Sequence, residues 1–193
     1  ITFKGEQSGG EESTLAQIES AHDGTSDDQK GDLIFKTNDG SDNNAPTERM
    51  RIDSAGTTTI TVTGNEDTLN LISTDADATN GPILDLTRNS SSPADNDVLG
   101  LVRFLGENDA DGALTYARIF ATIRDASDGT EDGMLSFNTV SGGANRARLE
   151  LDTTESVFNE GGVDLDFRVE SDSNSHMLFV DGGNNNLLIG NTV

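Results

Sequence analysis

The sequence contains no cysteine and no tryptophan, and it has only 12 lysines and arginines against 35 aspartates and glutamates. The absence of cysteine excludes a disulfide framework, a thiol nucleophile and a cysteine-ligated metal site, and it leaves the redox compartment open. A formal net charge of −23 repels polyanions, so we expect no nucleic-acid partner and no docking on anionic lipid. No apolar run approaches the roughly 18 residues of a membrane span, so we expect no membrane insertion. No signal peptide is visible.

Apolar and aromatic residues are also scarce. Hydrophobic residues make up 32% of the 193 residues and aromatic residues 5%, while glycine occurs 21 times. The apolar residues are nevertheless grouped in short ordered runs, which is not typical of a disordered chain. A folded chain with so lean a core is expected to complete its burial against neighbouring subunits.

Much of the first third of the chain recurs about a hundred residues later. Residues 1–6 match 102–107, 16–18 match 117–119, 31–37 match 133–139, and 49–53 match 146–150. On this alignment Arg49 matches Arg146 and Arg51 matches Arg148, and the change in length falls in the loop 39–47 against 141–145. A duplicated unit of this kind predicts an array or fibre rather than a single closed enzyme domain.

Period-2 alternation of apolar and polar residues predicts an all-β fold with no significant helix. The segment 14–21 has some helical character, but its repeat partner 115–122 resembles a strand, so both are predicted as strands. The connections are rich in Asp, Asn and Gly, which favour turns. The predicted strands lie near residues 33–37, 49–53, 57–63, 69–72, 83–87, 99–105, 116–123, 134–137, 147–151, 165–169 and 177–180.

The pattern divides the chain into three β-modules. The first repeat unit spans 1–67 and lacks the strands expected before it, the second spans 68–155, and a different C-terminal module spans 156–193. Since residue 1 already lies inside a repeat unit, we expect the natural polypeptide to extend upstream.

The sequence offers little for catalysis. His22 and His176 are the two histidines, both beside polar turn residues, and no Gly-x-Ser-x-Gly nucleophile motif is present. Pairs of carboxylates, which glycoside hydrolases need, occur throughout so acidic a chain and are not informative. Tyr116 is the one tyrosine, and most of the phenylalanines lie in strand patterns. We therefore predict no catalytic residues and no enzyme activity.

Two acidic segments, 75–81 and 109–112, resemble oxygen-rich calcium loops, but neither completes the EF-hand pattern. The alternative is that they form Asx turns between strands. Two pairs of guanidinium groups each lie on one strand face, those of Arg49 with Arg51 and of Arg146 with Arg148. They predict structural ion pairs, within the chain or across a subunit boundary. No glycine-rich phosphate loop is present. We predict no cofactor and no metal site.

Several segments of the sequence resemble segments of bacteriophage tail-fibre proteins, especially those of marine and cyanobacterial phages. The segments are KGDLIFKTNDG at 30–40, TERMRIDSAG at 47–56, GPILDLTRNS at 81–90, GLVRF at 100–104, DFRVES at 166–171 and HMLFVDGG at 176–183. The resemblance covers nearly the whole chain, and its motifs are structural rather than chemical. It implies an elongated, intertwined homotrimeric shaft of β-helix or β-meander type, with no catalytic residues to transfer.

These observations lead to one main hypothesis and three alternatives. The main hypothesis is a structural virion protein, a tail-fibre shaft segment that acts in host attachment, is extracellular as part of the virion, and contacts other tail proteins. A host glycan or receptor would be bound through a distal tip. The alternatives are a receptor- or glycan-binding decoration module, a bacterial surface adhesin filament, and a glycan depolymerase.

Overall fold

The computed structural model describes residues 1–24, 29–42, 44–77 and 79–190. These residues form thirteen β-strands and no helix, in three antiparallel sheets, which confirms the all-β prediction. The chain divides into two compact units, Ile1–Ile83 and Leu84–Val193.

The first unit contains one five-stranded meander in which every strand pairs with the next along the chain. Alternating side chains and short polar turns favour this arrangement, because antiparallel neighbours need only short connections. The strands are β1 (Thr2–Glu6), β2 (Glu12–His22), β3 (Gly31–Thr37), β4 (Thr47–Ile52) and β5 (Thr58–Ile60).

The second unit contains a meander of the same order and a smaller three-stranded sheet. The meander consists of β6 (Val98–Glu107), β7 (Ala113–Asp125), β8 (Asp132–Ser141), β9 (Ala144–Leu151) and β10 (Ser156–Phe158). The small sheet consists of β11 (Phe167–Val169), β12 (Leu178–Asp181) and β13 (Asn186–Ile189).

The two meanders share two register shifts as well as their strand order, and the second meander has two further shifts, at Val98/Gly100 and Ile123/Asp125. The β1–β2 ladder shifts register after Phe3, and the β6–β7 ladder shifts after Phe104. The β3–β4 ladder shifts after Phe35, and the β8–β9 ladder shifts after Phe137. A β-bulge is a built feature that re-aims the strand after it. Its recurrence at matching positions shows that the sequence repeat is a repeat of detailed backbone structure.

The ladders correct the sequence alignment at the fourth strand. Phe35 lies opposite Met50, and Phe137 lies opposite Leu149, so Met50 corresponds to Leu149. Arg49 therefore corresponds to Arg148 and not to Arg146. The match between the two Arg-x-Arg motifs was wrong by two residues, because the pairing is set by the large apolar residue that packs beside phenylalanine.

The shorter β8–β9 connection is a tight hairpin. Ser141 pairs with Ala144, and the intervening Gly142 and Gly143 have φ of 58° and 76°. Two successive positive φ values are the signature of a type I′ turn, whose twist matches that of the flanking strands and which favours glycine. In the first unit Gly40, with φ of 94°, accompanies the predicted Asn-Asp-Gly turn, and its backbone N–H bonds to Asn38 Oδ1 at 2.7 Å.

Three strand predictions were wrong. Residues 69–72 and 83–87 form no strand, and the predicted tail carries β13. In the first two segments apolar residues suggested strands, but the segments have no ladder partner, and Leu69, Ile72 and Ile83 are exposed. Leu86 instead contacts the sheet through its side chain, since a Cβ added at Gly100 would lie 2.8 Å from Leu86 Cβ.

One aromatic pair joins the small sheet to the meander of its unit, and one close backbone approach lies beside the small sheet itself. The rings of Phe158 at the end of β10 and Phe167 at the start of β11 are 4.8 Å apart, centroid to centroid. At Gly182 a Cβ would lie 2.6 Å from the carbonyl oxygen of Leu165, so the backbone approach there requires glycine.

Candidate functional site: the apolar faces of the two meanders

Each meander carries a continuous row of large apolar side chains across one face. Directly paired residues share a face, as do residues two apart on a strand. In the first unit Ile18, Phe35, Met50 and Ile60 form a row across four strands. The corresponding row of the second unit is Val102, Ile119, Phe137, Leu149 and Phe158.

We call these surfaces the apolar faces. Neighbouring positions extend them, since they lie two residues along the same strands. On the first meander the additional members are Phe3, Leu33 and Ile52, and on the second they are Phe104, Leu135 and Leu151.

The apolar faces remain accessible to solvent in a single chain. Phe3, Phe104 and Phe158 expose 49%, 54% and 55% of their surface. Among the described residues, only Ile34 and Met134 are buried hydrophobic residues, and neither lies on an apolar face. Leu86 lies over the second apolar face beside Gly100, but within the described part of its own unit neither of these faces, which would ordinarily form a core, packs against a second sheet.

The opposite face of the first meander is largely polar and covers itself. Ile34 is 3% exposed and shares that face with Glu19 and Arg51, its direct cross-strand partners. Arg51 forms ion pairs with Asp32 and Glu48, and Lys36 with Glu19. Long charged side chains cover apolar surface with their stems while their charged ends stay in water, so Ile34 is buried without a second layer.

In the second unit the opposite face is mixed: Leu101, Phe120 and Ser136 form one cross-strand row, and side-chain hydrogen bonds join its polar members. Ser136 is 0% exposed, and its Oγ lies 2.6 Å from Asn138 Oδ1 and 3.0 Å from Glu150 Oε1. Asn138 Nδ2 donates to Asn145 Oδ1 at 2.8 Å. These bonds fix the strand faces, because buried polar groups that are satisfied disfavour a shifted register.

Ion pairs and turns also set the charge state of the surface. Hydrogen bonds donated by Arg51 lower the pKa of Glu48, and donation to Glu48 and Asp32 raises the pKa of Arg51 above its usual range. Hydrogen bonds from the Arg124 side chain and the Thr153 backbone lower the pKa of Asp152. These carboxylates stay charged in mildly acidic solution, so the polar surface keeps its negative charge.

The total accessible surface is large for the mass of the chain. It is 14127 Å², whereas a compact monomer of this mass exposes about 8,800 Å², and two independent compact domains of these sizes about 10,600 Å². The excess is comparable to the area buried in obligate oligomers, which is roughly 2,000–5,000 Å². The apolar faces and the mostly exposed segment 61–97, whose described residues form no strand, both contribute to it.

The arginine pairs singled out in the sequence do not behave alike. Arg49 and Arg51 form ion pairs with Asp39 and with Asp32 and Glu48, as predicted for that strand. In the described part of the chain Arg146 and Arg148 form no ion pair, and Arg148 Nε donates to Thr139 Oγ1 at 2.5 Å instead. The ion-pair prediction is therefore confirmed for β4, while for β9 the described residues show no ion pair within the chain and pairing across a subunit boundary stays a prediction.

The two histidines lie in separate local settings. His22 ends β2, with Nδ1 3.8 Å from Asp23 Oδ1. His176 Nδ1 lies 2.8 Å from Ser175 Oγ, and its ring meets Phe179 edge-on at 4.9 Å. His176 therefore contacts a sequence neighbour and an aromatic ring. Tyr116 donates to the backbone oxygen of Glu107 at 3.3 Å, which is a structural role.

The two acidic segments form turns. Asp75 Oδ1 accepts from the backbone N–H of Asp77 at 3.0 Å, and Asn108 Oδ1 accepts from those of Ala110 and Gly112. Residue 78 of the first segment lies outside the described residues. Over the described ranges no group of three or more potential metal-ligating side chains is found. The observed bonds are those of Asx turns.

One cavity of about 670 Å³ lies in the first unit, beside the first residues of β2. Its lining is polar and acidic, and it includes no histidine or basic side chain; the lining residues are Gln7, Glu11, Glu12, Ser13, Leu15, Asn38, Gly40 and Asn44. Gln7 Nε2 donates to Ser13 Oγ at 2.5 Å across it.

Sequence reasoning missed one feature of the second meander. Arg103 and Arg118 lie directly opposite each other in the β6–β7 ladder. They are 15 positions apart in the chain, so their pairing depends on the register across a bulge. Aligning the two repeats matches Arg103 with Thr2 and Arg118 with Gln17. The alignment does not show that the two arginines face each other.

None of the described residues forms a helix that is long and apolar enough to cross a membrane. Comparison with known proteins found no matching family model, no matching curated protein and no matching solved structure.

Proposed function

We propose that this chain is a structural protein of a virion, a segment of a phage tail-fibre shaft that acts as a homotrimer in host attachment and has no enzymatic activity. The observation that carries the proposal is the pair of uncovered apolar faces, repeated with the same bulges in two successive units. Repetition of a structural unit produces length, and an uncovered apolar face requires a partner.

A second copy of the same chain is the partner that fits best. The apolar faces are flanked by strand edges and by acidic surface, and burial of several thousand square ångströms would bring the accessible surface to the value of a compact protein. At about 25 cal/mol per Å² of apolar surface, such burial is large compared with the stability of a typical domain. The number three, the virion location and the host-attachment role come from the resemblance to tail fibres.

The mechanism would be mechanical. Apolar faces that are buried only against other copies would hold the chains together in a continuous, stiff shaft. Separating one chain from its neighbours would expose its apolar face to water. The shaft would position a distal tip against a host glycan or receptor and would connect to other tail proteins.

The first experiment measures mass and stability together. Light scattering after size exclusion should give three times the 20.4 kDa of one chain, and the melting temperature should rise with protein concentration. A monomer whose cooperative melt is independent of concentration would overturn the proposal.

A matched pair of variants locates the interface. Phe104 and Leu105 are neighbours on β6 and are both exposed in the single chain, but they point to opposite faces of the sheet. Phe104→Asp should dissociate the oligomer, whereas Leu105→Asp should leave its mass unchanged. Equal effects of the two variants would rule out the apolar face as the interface.

The virion role is tested separately, by electron microscopy of phage particles labelled with an antibody against the chain. Label along a three-fold fibre supports the proposal. A trimer in solution with label absent from every tail fibre would retain the assembly and reject the virion role.

A further inference from the structure

We propose that Arg103 and Arg118 form a binding site for a single oxyanion group, a sulfate or a carboxylate, on the face of the second meander opposite its apolar face. The two residues are direct cross-strand partners on β6 and β7, so their Cβ atoms lie about 5 Å apart. Two guanidinium groups at that separation can converge on one anion, to which each offers paired N–H donors.

Both guanidinium groups lack an anionic partner within the protein. Throughout residues 1–24, 29–42, 44–77 and 79–190, neither arginine forms an ion pair or donates a hydrogen bond. Arg49, Arg51, Arg88 and Arg124 are paired with carboxylates, and Arg148, which has no ion pair, donates a hydrogen bond to Thr139 instead.

Arg118 is held in place by an aromatic ring. Its guanidinium carbon lies 4.7 Å from the centroid of Phe120, two residues along the same face, and such stacking orients the planar group. The Nε atom is buried without a hydrogen-bond partner. The remaining N–H donors of the guanidinium therefore carry the site, and their orientation is set before an anion binds.

The first meander shows that the fold does not need this pair. The matching ladder positions there are Thr2 and Gln17, which are neutral. The next residue of that row, Lys36, is a cation, but it pairs with Glu19. In the second meander Asn138 follows Arg118, so two positive charges stand in a row without an acid.

Like charges directly opposite each other destabilise a sheet, so the unoccupied pair costs stability that a bound anion would restore. The surrounding negative charge repels anions at long range. A multiply charged anion is therefore expected to bind at short range through directed hydrogen bonds. This inference needs neither the virion location nor the trimer.

The test is a calorimetric titration with sodium sulfate at low, constant ionic strength, repeated with sodium acetate. We expect saturable sulfate binding with one site per chain, and a rise in melting temperature with sulfate. Arg103→Gln and Arg118→Gln should each weaken binding by about tenfold or more, since each removes a charged hydrogen-bond partner.

Arg168→Gln is the matched control. It makes the same change in net charge, but Arg168 pairs with Glu170 in the small sheet, so sulfate binding should not change. Equal weakening by all three variants, or no saturable binding by the wild-type protein, would overturn the site. Arg118→Gln also loses the contact with Phe120 and could unfold for that reason. Arg103 is exposed, so Arg103→Gln tests the site even in that case.

If a carboxylate of a second copy already fills the site, sulfate will not bind and Arg103→Gln will dissociate the oligomer. That result would reject a site for external anions. Saturable sulfate binding by a chain that proves monomeric would instead support this site while rejecting the proposed function.

Discussion

Arg148 donates a hydrogen bond from Nε to Oγ1 of Thr139 at 2.5 Å, across the bulge between β8 and β9. The same bond occurs in the first meander, from Arg49 Nε to Thr37 Oγ1 at 3.2 Å. Arg148 and Arg49 are equivalent only in the alignment that the ladders establish. One side-chain contact thus repeats together with the bulge beside it, which identifies it as part of the repeated scaffold.

We expect Thr139→Val to lower the free energy of unfolding by about 0.5–1.5 kcal/mol, the usual net value of one hydrogen bond. The substitution keeps the branched shape and removes the acceptor. Denaturant unfolding of the wild-type protein and the variant measures the difference. Thr74→Val, at an exposed position outside the strands, is the control and should change stability less. A Thr139→Val protein as stable as the wild type would show that the bond does not support the bulge.

We expect Asp152→Asn to destabilise the protein at pH 7 but not near pH 2. The Arg124 side chain lies 2.7 Å from Asp152, and its hydrogen bonds lower the pKa of that carboxyl below 3.8 in the folded state. A lowered folded-state pKa gives stability that is complete above the unfolded value and is lost as the pH falls through the folded value. Melting curves from pH 7 to pH 2 test this.

The control for that series is Asp109→Asn, which also removes one negative charge but lies in an exposed turn. It should be neutral or slightly stabilising at pH 7, because it reduces the repulsion within a chain of net charge −23. A constant difference between Asp152→Asn and the wild type at every pH would show that the carboxylate charge does not matter.

We expect Gly182→Ala to disrupt the small sheet. The added Cβ would lie 2.6 Å from the Leu165 carbonyl oxygen and 2.9 Å from the Leu165 nitrogen, and backbone atoms cannot move away as a flexible side chain can. Hydrogen exchange should become faster in β11–β13 and stay unchanged in β6–β10. Gly161→Ala is the control, since its Cβ would only reach 3.9 Å from Arg146 Cδ. Unchanged protection of β12 in Gly182→Ala would contradict the close approach.

Much of the fold was predictable because its signals are local. Alternation and turn residues predicted the strands around Phe35, Ile119 and Phe137, and the repeat predicted that 14–21 and 115–122 adopt the same structure. The run at 69–72 was predicted as a strand and is not one, because local propensity cannot show whether a ladder partner exists. The Arg-x-Arg motifs misaligned β4 and β9. The alignment followed residue identity, whereas the structure matches Met50, which lies opposite Phe35, with Leu149.

The candidate site was likewise predictable only in part from the sequence. The sequence predicted a lean core that needs neighbouring subunits, since 32% hydrophobic residues in short strands cannot enclose a large interior. It could not show that Ile34 and Met134 would be buried on the faces opposite the apolar faces while Phe104 stayed exposed, because burial depends on which long side chains lie over each position.

By itself the sequence determined the strand periodicity, the turns, the duplication and the acidic surface, since each depends on residues close together in the chain or on composition. Only the tertiary structure decided the register of the ladders, which aligned Met50 with Leu149 and placed Arg103 beside Arg118. The physical reason is that a β-bulge shifts every later residue of its strand by one position. Which side chains meet across strands therefore follows from non-local hydrogen bonds that no short stretch of sequence contains.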